Sequence, residues 1–79
     1  MRDLTEKQKR IYEIIKRFIE ENGYSPSVRE IMKKAKLNSP ATIQNYINVL
    51  KDKGYITNTE NKSRTIRINF TNIKNNDII

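Results

Sequence analysis

Between Ser39 and Lys53 the chain places Ala41, Thr42, Gln44, Asn45 and Asn48 on one side of a helical period. None of the five is charged. Three are carboxamides, each offering one carbonyl acceptor and two N–H donors, and Thr42 adds a hydroxyl and a methyl. The chemistry such a set supports is directional hydrogen bonding without proton transfer. Gln and Asn match the N6/N7 edge of adenine bidentately, a Thr methyl meets the thymine methyl, and a good pair discriminates by about 1–3 kcal/mol. A helix face turned only to water is better served by Glu and Lys, the strong surface helix formers. Ala41, Thr42, Gln44 and Asn45 are therefore the candidate base-reading residues in a major groove.

The helix that presents them is readable from its own ends. Ser39 can cap it, and Pro40 suits the first position, where no helix bond needs its missing N–H. Ile43, Tyr46, Ile47 and Leu50 fall at i, i+3, i+4 and i+7, an apolar stripe facing away from the amides. Lys51-Asp52-Lys53-Gly54 closes it, with Gly54 as the left-handed residue. Candidate phosphate contacts are Ser39, at a helix N-terminus that already favours an anion, then Asn48, Lys53, Lys62 and Arg64.

Two further helices precede this one. Thr5-Glu6-Lys7-Gln8 has the form of a capping box, and Ile11, Ile14, Ile15, Phe18 and Ile19 follow with helical period until Gly23, which predicts a helix over 6–22. Tyr24-Ser25-Pro26 forces an extended connection. Ser27-Val28-Arg29-Glu30 is a second capping box, opening a short helix that buries Val28, Ile31, Met32 and Ala35. Lys36 occupies the turn position that favours glycine. Adopting the left-handed conformation there costs it about 1 kcal/mol relative to glycine. A short second helix, a tight turn and a capped third helix make a helix-turn-helix.

After Gly54, Tyr55-Ile56-Thr57 reads as a strand and Glu60-Asn61-Lys62-Ser63 as a polar turn. Arg64 to Phe70 alternates, with Ile66, Ile68 and Phe70 inward and Thr65, Arg67 and Asn69 outward. Tyr24, Tyr46 and Tyr55 read as packing residues. The fold class is α+β, mostly helical: a winged helix-turn-helix of three helices plus a two-stranded β-hairpin wing. Residues 1–70 form one domain, and the Asn-rich 71–79 a disordered tail or linker stub.

Composition narrows the function classes. The 79 residues carry 16 Lys/Arg against 9 Asp/Glu, a net charge of +7. Residues 1–28 hold six basic against five acidic side chains, and residues 29–79 hold ten against four. Basic excess in the half with the amide-faced helix fits a polyanion. There is neither cysteine nor histidine, which removes thiolate metal sites and the commonest general base. No nucleophile–base pair, metal cluster or phosphate-cradling glycine loop stands out, so the reading is of a non-enzyme with no cofactor and no small-molecule ligand. No apolar run approaches a membrane span or a signal core, so the expected location is cytoplasmic, in a bacterium or on a mobile element.

These residues also resemble a family. Leu4-Thr5-Glu6-Lys7-Gln8, Asn22-Gly23-Tyr24-Ser25-Pro26-Ser27-Val28-Arg29-Glu30-Ile31, Ser39-Pro40, Lys53-Gly54-Tyr55-Ile56 and Ser63-Arg64-Thr65-Ile66-Arg67-Ile68 together are similar to the DNA-binding part of LexA-type, SOS-response repressors. The resemblance runs over about residues 4–68. It implies a winged helix-turn-helix that binds a palindromic operator in double-stranded DNA and blocks transcription. By that likeness Ser39, Ala41, Thr42, Gln44 and Asn45 approach DNA, with Lys53 and the wing around Arg64 near phosphates. Lys36 departs from the glycine usual in the family's turn. The family's self-cleaving Ser–Lys peptidase domain, which also dimerises the repressor, has no counterpart in these residues. A lone copy is expected to bind a half-site weakly, and useful affinity requires two copies on adjacent half-sites or a dimerising domain. The alternative function is a winged-helix interaction module that grips an acidic protein.

Overall fold

Each helix starts on a hydroxyl that replaces a missing helix acceptor. The Thr5 side chain accepts from the Gln8 N–H at 3.1 Å, and the Gln8 side chain accepts from the Thr5 N–H at 3.0 Å. Ser27 and Glu30 exchange the same pair of bonds at 3.2 and 2.9 Å. Ser39 accepts from the Thr42 N–H at 3.2 Å, with Pro40 behind it. In the computed structural model, which describes residues 4–59 and 64–69, these caps open α1 (Glu6–Asn22), α2 (Val28–Ala35) and α3 (Pro40–Asp52).

The ends are equally local. Gly23 takes φ 80° and donates to the Ile19 carbonyl at 2.8 Å. Gly54, at φ 86°, donates to Lys51, while the Tyr55 N–H reaches back to the Leu50 carbonyl at 2.9 Å. This is a Schellman closure, and it satisfies carbonyls that the helix leaves open. Lys36 does the same work at the end of α2 without being glycine, at φ 59° and ψ 42°, with the Leu37 N–H bonded to the Met32 carbonyl at 3.0 Å.

The wing is a two-stranded antiparallel sheet of β1 (Ile56–Thr57) and β2 (Arg67–Ile68), in register Ile56 to Ile68 and Thr57 to Arg67. Both strands are shorter than the alternation predicts. Tyr55 spends its N–H on closing α3, so β1 starts one residue later. Arg64 takes φ 59°, which breaks an extended run. The Thr65 hydroxyl meanwhile accepts from the Thr59 N–H at 2.9 Å and donates to the Thr59 carbonyl at 3.1 Å, holding the hairpin where ladder bonds would otherwise stand. At the base, Asn69 donates from its backbone to Tyr55 at 2.9 Å and from its side chain to Gly54 at 2.8 Å. Ile66 and Ile68 point inward and Arg67 outward, as the alternation predicts. Phe70, Lys62 and the tail 71–79 lie outside the described residues.

The core draws on every element: Ile11, Tyr12 and Ile15 of α1, Ile31 and Ala35 of α2, Ile43, Ile47 and Leu50 of α3, and Tyr55, Ile56, Ile66 and Ile68 of the wing. Each helix packs on the other two, and β1 packs on α3. Burying an isoleucine contributes about 1.5–3 kcal/mol, so the five buried isoleucines of the three helices carry much of what a domain of this size can gather. Val28, Met32 and Tyr46 close its rim, half-buried.

Candidate nucleic-acid interface

The burial of α3 splits as its periodicity predicts. Ile43, Ile47 and Leu50 are fully enclosed and fix the rotation of the helix, while Ala41, Gln44, Asn45 and Asn48 are exposed. Thr42 is half-buried beside them, its backbone N–H taken by the Ser39 hydroxyl. The four proposed base-reading residues thus share one outward surface with Ser39 at its leading end. No acidic side chain occupies the first turn, so nothing opposes an anion at that helix start.

One bond orders this surface. The Gln44 amide nitrogen donates to the Asn48 side-chain oxygen at 3.2 Å, one helical turn further on. The remaining phosphate candidates are distributed around it. Lys53 sits half-buried where α3 closes. Lys62 is outside the described residues. Lys33, Lys34 and Lys36 are exposed at the far end of α2.

Arg64 is placed differently from a side chain that simply projects from a wing tip. Its guanidinium meets both Glu30 carboxylate oxygens, at 3.0 and 3.2 Å, and donates to the Ser25 carbonyl at 3.2 Å. It also lies over the Tyr24 ring, 5.1 Å from its centroid. Tyr24 is 51% exposed and packs edge-on against Phe18. Beneath this cluster the buried Ser25 hydroxyl accepts from the Ile66 N–H at 3.0 Å. The wing is therefore tied to the start of α2 by one backbone and several side-chain bonds. Ser25, Glu30 and Tyr24 did not stand out as functional in the sequence, and no local pattern points to them: their partners lie 34 to 41 residues away. The Glu30 carboxyl is held below its ordinary range, first by the Ser27 backbone N–H and next by Arg64.

Among the described residues no group of three or more potential metal-binding side chains gathers, and no helix is long and apolar enough to cross a membrane.

Comparison with known proteins bears on this surface. The family described as the LexA DNA binding domain matches residues 1–65. The chain is 44% identical over 68 residues to the LexA repressor of Thermosipho melanesiensis, covering 86% of this chain and 34% of that protein. It is 43% identical to the LexA repressor of Staphylococcus epidermidis, covering 86% and 33%, and 40% identical to the transcription regulator LexA of Synechocystis, covering 86% and 34%. The chain spans about a third of the length of these curated relatives.

Proposed function

The chain belongs to the LexA DNA binding domain family, and from that premise we propose that it binds double-stranded DNA sequence-specifically as the reading part of a LexA-like transcriptional repressor. In this reading α3 enters the major groove of an operator half-site. Ala41, Thr42, Gln44 and Asn45 face base edges, and Ser39, Asn48, Lys53, Lys62 and Arg64 serve the phosphate backbone. The observation that carries it is the division of α3: three enclosed apolar residues lock an exposed, uncharged, amide-bearing face outward. The acidic-protein reading is not favoured, because the matched family is one of DNA-binding domains.

The finer parts of the reading follow from its physics. The described residues offer a single recognition helix, α3. Palindromic operators suit two copies related by two-fold symmetry, so we place the working unit as a pair on adjacent half-sites. Catalysis is not assigned to these residues; the function is binding and occlusion in the cytoplasm. Some four to six phosphate contacts give a slope of log K against log salt near −4 to −5. The test is a footprint and salt titration on duplexes selected from a random pool. A protected pseudo-palindrome with that slope supports the reading, and binding indifferent to sequence at every salt concentration overturns it.

A further inference from the structure

We infer that Asn48 is a specificity-determining residue which acts through Gln44, holding its amide in the orientation that reads adenine and rejects guanine. The inference rests on the proposed DNA reading and deepens it. A free glutamine amide is ambiguous: a half-turn about its last bond exchanges the carbonyl for the NH2 group. In one orientation its oxygen accepts from adenine N6 while its nitrogen donates to N7. In the other, the NH2 group faces the guanine O6 acceptor instead. An unconstrained glutamine at the tip of an exposed side chain can therefore serve either purine.

In this chain one orientation is favoured before DNA arrives. The Gln44 nitrogen already donates one of its two hydrogens to the Asn48 oxygen at 3.2 Å. With the Asn48 oxygen turned toward it, the end of the Gln44 amide that faces Asn48 is the nitrogen. This leaves the second hydrogen and the whole carbonyl for the base, the donor–acceptor pair that adenine needs. Both residues are exposed on the outward face of α3, and the backbone between them is regular helix, so their i, i+4 spacing is set by the helix. Pre-ordering also reduces the side-chain freedom lost on binding. Asn48 thus has a role apart from the backbone contact proposed above, and the two roles have different signatures.

The experiment measures binding of the 79-residue chain to its selected duplex and to the three single-base replacements at each half-site position. Wild type, Gln44→Ala, Asn48→Ala, Asn48→Asp and the Gln44→Ala/Asn48→Ala double variant are compared. The position whose preference disappears in Gln44→Ala is the one Gln44 reads, with an expected discrimination of roughly 5- to 150-fold. Asn48→Ala is expected to lower the adenine-over-guanine ratio at that position alone, by roughly 1.5- to 2-fold, and the double variant to match Gln44→Ala there. Asn48→Asp, whose carboxylate can only accept, is expected to keep the ratio while weakening all duplexes by charge repulsion. Alanine is the better helix former, so thermal unfolding should show Asn48→Ala no less stable than wild type. If Asn48→Ala weakens every duplex equally, or leaves the ratio untouched, Asn48 serves phosphate only and the inference fails. If wild type itself shows no preference at any position, the underlying DNA reading fails instead.

Discussion

Arg64 and Glu30, 34 residues apart, join the wing to the first turn of α2 through two contacts between guanidinium and carboxylate, at 3.0 and 3.2 Å. Glu30 also completes the capping box that starts α2, so a single carboxylate serves both the helix and the wing. The wing is thus held by α2 as well as by α3, on which β1 packs directly.

Acid should loosen this joint. The Glu30 carboxyl in the folded protein lies below its ordinary value near 4.5, the value it regains on unfolding. A carboxyl depressed in this way contributes stability that is fully present above the unfolded value and disappears as pH falls through the folded one. Glu30→Gln keeps a side chain able to cap while removing the charge. Its deficit against wild type in urea unfolding should be constant at neutral pH and shrink as pH drops below about 4.5. Equal pH profiles for the two proteins would contradict it.

Ser25→Ala should cost more than its small size suggests. The hydroxyl is buried, accepts from Ile66 and donates to the Pro26 carbonyl at 3.1 Å. Removing it leaves the Ile66 N–H enclosed without a partner, a loss of about 1–3 kcal/mol. Chemical denaturation gives the magnitude, and faster amide exchange at Ile66 locates it at the wing.

Lys36→Gly should stabilise the domain. The lysine holds φ 59°, where an L side chain is strained, and its replacement returns about 1 kcal/mol. For a domain of this size that is a rise of about 4–8 °C in Tm. Since Lys36 is exposed beside other lysines, a simultaneous fall in DNA affinity would show that the cation is retained for phosphate contact.

Tyr12→Phe should be neutral or stabilising. The Tyr12 hydroxyl is buried with no partner among the described residues, and burial is the first cause of its raised pKa. Its ring stacks edge-on with Tyr55 at 5.3 Å, a contact that phenylalanine preserves. Losing an unsatisfied hydroxyl recovers up to about 1 kcal/mol. A clear loss of stability on thermal unfolding would contradict it.

These cases also mark how far the sequence is legible. Caps and closures act within four or five residues, so Thr5, Ser27, Ser39, Gly23, Gly54 and the left-handed Lys36 can all be read from their neighbours. The division of α3 follows from period alone. What stays hidden is contact across the chain. Tyr12 lies outside the apolar stripe that period picks out in α1, yet it is buried in the core, edge-on to Tyr55. The strands come out short because Arg64 turns left-handed and Tyr55 belongs to a helix closure, neither of which alternation registers. Arg64 reads as a wing-tip cation, and its tie to Glu30 exists only once the fold brings α2 and the wing together.

The central claim, that the amide face of α3 reads sequence, is tested most directly by selection from random duplexes with wild type and a Gln44→Ala/Asn45→Ala variant side by side. Wild type should enrich one half-site, arranged as an inverted repeat. The variant should still hold DNA at low salt through its phosphate contacts but enrich no motif at the positions those amides face. The same motif from both proteins, or none from wild type, would contradict the account.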